Sequence, residues 1–145
     1  MNAADAISSI VLSAHTLARI AARDAGNEAP SAQWRALSML EQHGGMRLGE
    51  LARATRTTQP GMTRLVGALE QSGLVTRSSD PADTRVTLVE ASPEGRAQLQ
   101  AWRTQLRDTL APRFADLDEE DWSALQRAAL ILREHTQEHG EGTTK

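Results

Sequence analysis

Hydrophobic side chains recur over most of the chain at steps of three and four residues, which is the spacing of one face of an α-helix. The pattern predicts a first helix over residues 4–24, which ends near Gly26. A second helix is expected to begin with Ser31 as its N-cap and to stop at Gly44, and a short third helix to cover residues 48–54.

A fourth helix is predicted from Thr58 to Gln71, with Thr57 or Thr58 as its cap and Gly73 just beyond its end. Pro60 is compatible with this helix because it falls in the first turn, where its missing N–H is not needed. A short helix, a tight turn and a second helix form the order of a helix-turn-helix.

The pattern changes to short β-prone runs after the fourth helix. Residues 74–77 and 86–89 contain β-branched side chains, and the stretch 78–84 between them is rich in turn-forming residues, so a β-hairpin is predicted. Ser92 and Pro93 then start a long helix that is interrupted at Pro112.

Four consecutive acidic residues at 118–121 mark the start of a last helix, because the helix dipole favours negative charge there. Residues 140–145 are expected to form a flexible tail. The whole order predicts a mainly α fold with a small β-hairpin wing, that is, a winged helix-turn-helix with six helices in a single domain over 1–145.

The fourth helix has one apolar face and one small, polar face. Its buried stripe is predicted to hold Met62, Leu65, Val66 and Leu69. The opposite face is predicted to hold Pro60, Arg64, Gly67 and Gln71, flanked by Thr63 and Ala68. Such a face fits the DNA major groove, where Arg64 can reach guanine edges. Thr58, Gln59 and Thr63 can contact bases or phosphates. An ordinary solvent-exposed face is the alternative.

The predicted hairpin carries Arg77 on its first strand and Arg85 after its tip. Asp83 stands two residues before Arg85 and can hold the Arg85 guanidinium in a fixed fork. An arginine on a narrow loop suits the DNA minor groove, where narrowing concentrates negative potential. The alternative is that Asp83 and Arg85 only stabilise the turn, and both interpretations are compatible.

The net charge of −3 is unusual for a protein that binds nucleic acid, but the charge is unevenly distributed. Residues 47–85 carry a net charge of +2, which leaves −5 for the remainder. Every cation except Lys145 is arginine, the side chain best suited to bidentate contact with phosphate and guanine. The absence of cysteine excludes disulfides, thiolate metal sites and thiol-based sensing.

Several segments of the chain resemble the multiple-antibiotic-resistance regulator (MarR) family. The resemblance rests on residues 49–52, 58–66, 69–70 and 73–77, on the Asp-x-Arg wing at 80–85, and on the Ser-Pro-Glu-Gly helix start at 92–95. It implies a homodimer that binds a palindromic operator in double-stranded DNA and represses until a small ligand releases it. Thr84 departs from the pattern, since a further basic residue often occupies that place, and this departure lowers the expected affinity for the minor groove.

The terminal helices carry more apolar side chains than a small domain can cover by itself, which favours a dimer. These side chains are Ile7, Ile10, Val11, Leu17, Leu125, Leu130, Ile131 and Leu132. We therefore expect a DNA-binding lobe over 31–91 and a helical dimerisation region formed by 4–25 and 93–139.

The resemblance also implies a cavity for a small aromatic or anionic effector. The candidate residues are His15, Trp34, Arg35 and Trp102, because tryptophan offers stacking area and arginine or histidine offers charge. Simple packing of the tryptophans on their helix stripes is the alternative.

Three other functions were weighed against regulation of transcription. His135 and His139 have the spacing of helical metal ligands, which would suit a metal-responsive regulator, but no metal or other cofactor is expected. Nucleophile and phosphate-loop motifs are absent, so an enzyme is not expected. A helix-turn-helix used only for protein contacts stays open. No segment has the layout of a signal peptide or membrane span, and a cytoplasmic protein is expected.

Overall fold

The computed structural model of the protein describes residues 1–27, 29 and 31–137. Along these residues the helices and strands are α1 (Ala3–Asp24), α2 (Ser31–His43), β1 (Met46–Arg47), α3 (Leu48–Ala54), α4 (Gln59–Gln71), β2 (Val75–Asp80), β3 (Asp83–Ala91), α5 (Pro93–Leu110), a 3-10 helix (Ala111–Phe114) and α6 (Glu119–Thr136). The predicted fold class, six helices with a β wing, is confirmed. The chain divides into two compact units, residues 1–109 and residues 110–145.

The sheet has three antiparallel strands in the order β1-β3-β2, one more than the sequence predicted. The additional strand β1 contains only two residues, which pair with Val89 and Leu88 of β3. Strands β2 and β3 are also longer than predicted, because the turn-rich stretch 78–84 continues the ladder to Asp80 and Asp83. The prediction of a seven-residue loop was therefore wrong: polar side chains on a two-stranded ribbon that faces solvent do not prevent pairing of its backbone.

Most helix starts have the side-chain caps that their sequences indicate. The Asn2 Oδ1 accepts a hydrogen bond from the Asp5 N–H at 2.9 Å, and the Asp118 Oδ1 accepts one from the Asp121 N–H at 2.8 Å. Ser31 is different, because it is the first residue of α2 rather than its N-cap. Its hydroxyl accepts a hydrogen bond from the Arg35 side chain at 3.2 Å instead.

The hydrophobic core of the first unit joins α2, α3, α4, the sheet and the start of α5. Its largest fully buried side chains are Leu37, Leu40, Leu51, Met62, Leu99, Val66, Val75 and Val89. The core thus fastens both helices of the helix-turn-helix and the base of the hairpin to one framework.

The second unit is built differently, since no residue of its 3-10 helix or of α6 is buried. Phe114 and Trp122 contact each other with their ring centres 6.4 Å apart, and the predicted interruption at Pro112 is the 3-10 helix. Among residues 1–27, 29 and 31–137, no helix combines the length and apolar character needed to cross a bilayer.

Candidate nucleic-acid interface

Helix α4 begins at a tight cap that leaves little room beside it. The Thr58 Oγ1 accepts a hydrogen bond from the Gly61 N–H at 3.1 Å, and the Thr58 carbonyl accepts one from Met62 at 2.8 Å. A Cβ at Gly61 would lie 2.9 Å from the Thr58 Oγ1, so glycine allows this cap to close. Pro60 lies in the first turn, as predicted.

One face of α4 is buried and the other is open. Met62, Val66 and Leu69 are buried and Leu65 is half-buried, as the helical spacing predicted. The residues on the opposite face that are exposed are Thr58, Gln59, Pro60, Thr63, Arg64, Ala68 and Gln71. The Thr63 hydroxyl donates to the Gln59 carbonyl at 2.9 Å. Within the described part of the chain, Arg64 has no ion-pair or hydrogen-bond partner for its side chain, so its guanidinium is available to a ligand.

The wing tip holds one arginine in a fixed orientation. The Arg85 Nε and Nη2 donate to the two Asp83 carboxylate oxygens at 3.0 and 3.1 Å, and the Arg85 backbone N–H donates to Asp83 at 3.1 Å. These bonds form the fork that the sequence predicted. The Arg85 side chain is nevertheless 88% exposed, so the remaining guanidinium N–H groups face solvent.

The same bonds change the protonation of both partners. They lower the pKa of the Asp83 carboxyl below its ordinary value, first through the Arg85 side chain and then through its backbone N–H, and the charge of Arg47 adds a smaller effect. The bond to Asp83 also raises the pKa of Arg85. Asp83 therefore keeps the negative charge that the fork needs to a lower pH than an unpaired aspartate does.

Two ion pairs that no sequence pattern indicated connect the hairpin to the rest of the winged unit. The Arg77 Nε donates to the Glu70 Oε2 at 3.0 Å, which joins β2 to the end of α4. Arg47 contacts Asp80 at 3.3 Å and Glu50 at 3.6 Å, which joins the wing tip to β1 and α3. Glu70 and Arg77 are seven residues apart on different elements, and Arg47 and Asp80 are 33 residues apart, so no helix or strand spacing indicates these two pairs. They orient the wing relative to α4.

The Ser-Pro-Glu-Gly segment joins the end of α4 to the start of α5. The Ser92 hydroxyl donates to the Gly73 carbonyl at 2.5 Å and accepts from the Gly95 N–H at 2.9 Å. Gly73 has φ +76°, a conformation that glycine adopts without strain. Gly95 packs directly on the Leu74 carbonyl, and a Cβ there would overlap the Leu74 backbone. This segment therefore fixes the direction in which the chain enters the wing.

A cavity of about 620 Å³ lies in the first unit, and all four effector candidates line it: His15, Trp34, Arg35 and Trp102. The two tryptophan rings stack with their centres 5.3 Å apart and their planes 13° apart. Trp34 also belongs to the hydrophobic core, so the packing interpretation of this residue is compatible with a cavity wall. The other lining residues are Ala18, Ser31, Ser38, Met39, Gln42, Ala54, Thr55 and Arg56.

The histidine pair suggested as metal ligands is only partly described. The His135 Nδ1 lies 2.8 Å from the Ile131 carbonyl oxygen, one turn earlier in α6. His139 lies outside the described residues. Among the residues that the structure describes, no three histidine or carboxylate side chains are grouped to hold a metal ion.

Comparison with known proteins places these elements in a family. Residues 30–87 match the model of the MarR family. An HTH-type transcriptional regulator of Mycobacterium tuberculosis is 35% identical over 100 residues, which cover 69% of this chain and 70% of that protein.

Solved structures have the same fold. A probable transcriptional regulator from Pseudomonas aeruginosa is similar at 33% identity and TM-score 0.57, over 87% of this chain and 96% of that one. A MepR variant from S. aureus, solved bound to an oligodeoxyribonucleotide, is similar at 18% identity and TM-score 0.62, over 94% of this chain and 100% of that one.

The family resemblance predicted from the sequence is thus confirmed, and its relatives are regulators of transcription rather than enzymes. The chain belongs to the MarR family of winged helix-turn-helix transcriptional regulators.

Proposed function

We propose that this regulator is a homodimeric, ligand-responsive repressor that binds a palindromic operator in the cytoplasm. Helix α4 enters the major groove of duplex DNA, and the β2–β3 wing follows the adjacent minor groove. The observation that carries the proposal is the unpaired guanidinium of Arg64 on the small exposed face of α4, in the same compact unit as the exposed, oriented Arg85.

The contacts of each residue suggest its role on DNA. Arg64 reads guanine edges, while Thr58, Gln59 and Thr63 contact bases or phosphates near the start of α4. Pro60 has a small, uncharged side chain on the same face, so α4 can approach the groove closely. Arg85 enters the minor groove with Asp83 as its support, and Arg77 contacts phosphate beside its bond to Glu70. A MepR variant of the same fold was solved bound to an oligodeoxyribonucleotide, which supports DNA binding by this chain.

Exposed apolar side chains at both ends of the chain support a homodimer. On α1, Ile7 is 60% exposed and Val11 is 47% exposed, and on α6, Leu130 is 53% exposed and Ile131 is 42% exposed. Burying them against a second copy removes this surface from water. A two-fold dimer presents two α4 helices to half-sites about 10 base pairs apart, so its operator is an inverted repeat.

The test begins with selection of genomic DNA fragments by the purified protein. Fluorescence anisotropy then compares the selected inverted repeat with a duplex of the same length in which one half-site is scrambled. We expect the intact repeat to bind more tightly by at least tenfold. Equal affinity for both duplexes contradicts a palindromic operator, and no binding to any duplex at low salt contradicts DNA binding itself.

The dimer is tested by sedimentation of a double variant, Leu130→Glu with Ile131→Glu. We expect its mass to fall from twice the chain mass to the chain mass, because carboxylates in an apolar interface lose their hydration. Gln126→Glu adds a charge on the same helix at an exposed polar position and serves as the control. A wild-type protein that sediments as a monomer at micromolar concentration contradicts the proposal.

The large cavity lined by His15, Trp34, Arg35 and Trp102 supports ligand control. A ligand that binds the DNA-free form more tightly than the DNA-bound form releases the operator. Repression is tested with a reporter gene behind the selected operator. Expression is expected to rise when the regulator is deleted, whereas a fall in expression would identify an activator.

A further inference from the structure

We infer that Arg56 is the residue through which an anionic ligand in the cavity acts on the recognition helix α4. This inference rests on the proposed function and names the regulation of the same site. The cavity is bounded on one side by α1, α2 and α5, and on another by the turn between α3 and α4, which contributes Thr55 and Arg56. A ligand in this cavity therefore contacts the turn that connects α3 to α4.

The backbone of this turn is unusual at Arg56. Its φ is +55°, and it is the only described residue other than glycine with a positive φ. A side chain in this left-handed region is strained, because its Cβ approaches the backbone, and glycine usually occupies such positions. The positive φ belongs to the C-terminal cap of α3, since the Arg56 N–H donates to the Arg53 carbonyl at 3.2 Å and the Thr57 N–H donates to the Ala52 carbonyl. Glycine would form this cap with less strain, so the cap does not explain why an arginine lines the cavity at this position.

The residues on either side of Arg56 are held firmly. The Thr55 hydroxyl donates to the Leu51 carbonyl at 2.7 Å, and the Thr57 N–H donates to the Ala52 carbonyl at 2.9 Å. Thr58 then caps α4. Since the turn is fastened to α3 behind Arg56 and to α4 after it, a change in the conformation of Arg56 alters the direction in which α4 leaves the turn.

The charge around the cavity determines the class of ligand. Its ionisable lining residues are His15, Arg35 and Arg56, and no carboxylate is among the lining residues described. Neither Arg56 nor His15 has a hydrogen-bond or ion-pair partner for its side chain within residues 1–27, 29 and 31–137. The stacked rings of Trp34 and Trp102 add a flat apolar wall. These groups match a planar aromatic carboxylate whose ring packs on the tryptophans and whose carboxylate binds Arg56 and Arg35.

The two arginines Arg35 and Arg56 of the cavity therefore have different roles in the response to a ligand. Arg35 lies on α2 and is not part of the turn, so its bond to a ligand adds affinity only. Arg56 bonds the same ligand from a strained position next to α4, so its bond differs between the DNA-bound and DNA-free conformations. Only such a differential contact shifts an equilibrium between two states.

The experiment measures the coupling between a probe ligand and DNA in the full-length protein. The probe is 2-naphthoate, and 2-naphthamide is its uncharged analogue with the same rings. Binding of the probe is followed by tryptophan fluorescence, and the dissociation constant of the selected operator is measured with and without saturating probe. For wild type, we expect 2-naphthoate to raise this constant by about 5- to 150-fold, and 2-naphthamide to raise it less than twofold.

Arg56→Gly removes the cation and suits the left-handed backbone, so the variant should fold with a melting temperature at or above that of wild type. We expect 2-naphthoate to raise the operator dissociation constant of this variant less than twofold, even at concentrations that saturate the probe site. Arg35→Ala should need a higher concentration of probe. At saturation, the probe should raise its operator dissociation constant by the same factor as in wild type. Arg53→Ala removes an exposed arginine that does not line the cavity, and it should keep the wild-type ratio at every concentration.

Three outcomes overturn the inference, and each differs from a failure of the proposed function. The inference is wrong if 2-naphthoate raises the operator dissociation constant of Arg56→Gly by the same factor as that of wild type. It is also wrong if 2-naphthamide raises the constant of wild type as much as 2-naphthoate does, or if 2-naphthoate does not raise it at all. In all three, DNA binding by the wild-type protein still stands. A wild-type protein that binds no operator at all contradicts the proposed function instead.

Discussion

The winged lobe (residues 31–91) buries its large apolar side chains, whereas the C-terminal helix α6 of this regulator leaves them largely exposed. In the lobe, Leu37, Leu51, Met62 and Val66 are completely buried within the chain itself. In α6 no residue is buried, and its large apolar side chains are roughly half exposed. The lobe therefore has its own core and presents a polar surface, whereas α6 leaves an apolar surface exposed, which the proposed dimer would cover.

Under the proposed function, this difference allows one small chain to bind two kinds of partner, a DNA duplex and a second copy of itself. A rigid lobe holds α4 and the wing in a fixed relation, which recognition of a stiff DNA duplex requires. In the proposed dimer, α6 is stabilised by association with a second copy, and the two-fold symmetry of that dimer matches an inverted repeat. Four matched pairs of substitutions test this comparison, with expected effects that decrease from the first pair to the fourth.

The first prediction compares two leucines, one in each region. Leu37→Ala should lower the free energy of unfolding by about 2–5 kcal/mol, because the side chain is completely buried and leaves a cavity. Leu130→Ala should lower it by less than about 0.5 kcal/mol when urea unfolding is measured at concentrations where the protein is monomeric. A similar loss for both leucines would show that α6 has a core of its own.

The second prediction compares two glycines of the first compact unit, Gly95 in α5 and Gly67 in α4. Gly95→Ala should destabilise the fold by about 1–3 kcal/mol, because the new Cβ overlaps the Leu74 backbone and forces α5 away from the hairpin. Gly67→Ala adds the same methyl group to α4, where nothing lies within 4 Å, and should stabilise the helix by up to about 1 kcal/mol. Thermal unfolding by circular dichroism measures both. A neutral Gly95→Ala would mean that the Ser92–Gly95 segment adjusts easily.

The third prediction concerns base recognition by α4. Arg64→Ala should weaken binding to the selected operator by about 1–3 kcal/mol and relax the base preference at one position of each half-site. Arg127→Ala removes an exposed arginine from α6 and should leave the affinity unchanged. Competition with operator variants measures the effect, and equal specificity of both variants with wild type would rule out a base contact by Arg64.

The fourth prediction concerns phosphate contact by the wing. Arg77→Ala should weaken binding to all sequences alike and reduce the slope of log affinity against log salt by about 0.9, since one phosphate contact is lost. Arg133→Ala on α6 is the control and should keep the wild-type slope. An unchanged slope for Arg77→Ala would mean that Arg77 acts only through its bond to Glu70, which orients the hairpin.

Much of the lobe was predictable because its signals are local. The spacing of Met62, Val66 and Leu69 indicates the buried face of α4, and Thr58 stands close to the N–H group that it caps. Strand β1 was not predictable, because two residues have no periodicity and become a strand only by pairing with β3. The extent of the wing was misjudged for a related reason, since its polar residues pair through backbone groups that every sequence has.

The four effector candidates came from chemistry and family resemblance, and the structure places all of them around one cavity. Arg56 was missed as a lining residue, because nothing in its neighbours indicates a positive φ or a cavity beside the turn. A glycine expected in a helix-turn-helix turn but replaced by arginine is the signal that could have identified it.

By itself, the sequence determined the order of the helices, the polar and apolar faces of α4, and the Asp83–Arg85 fork, because each depends on residues a few positions apart in the chain. Only the tertiary structure decided that Glu70 meets Arg77, that Asp80 meets Arg47, and that the turn of the helix-turn-helix borders the cavity. Such contacts form when packing of the core brings separate elements together, and no local spacing encodes the distances that packing sets.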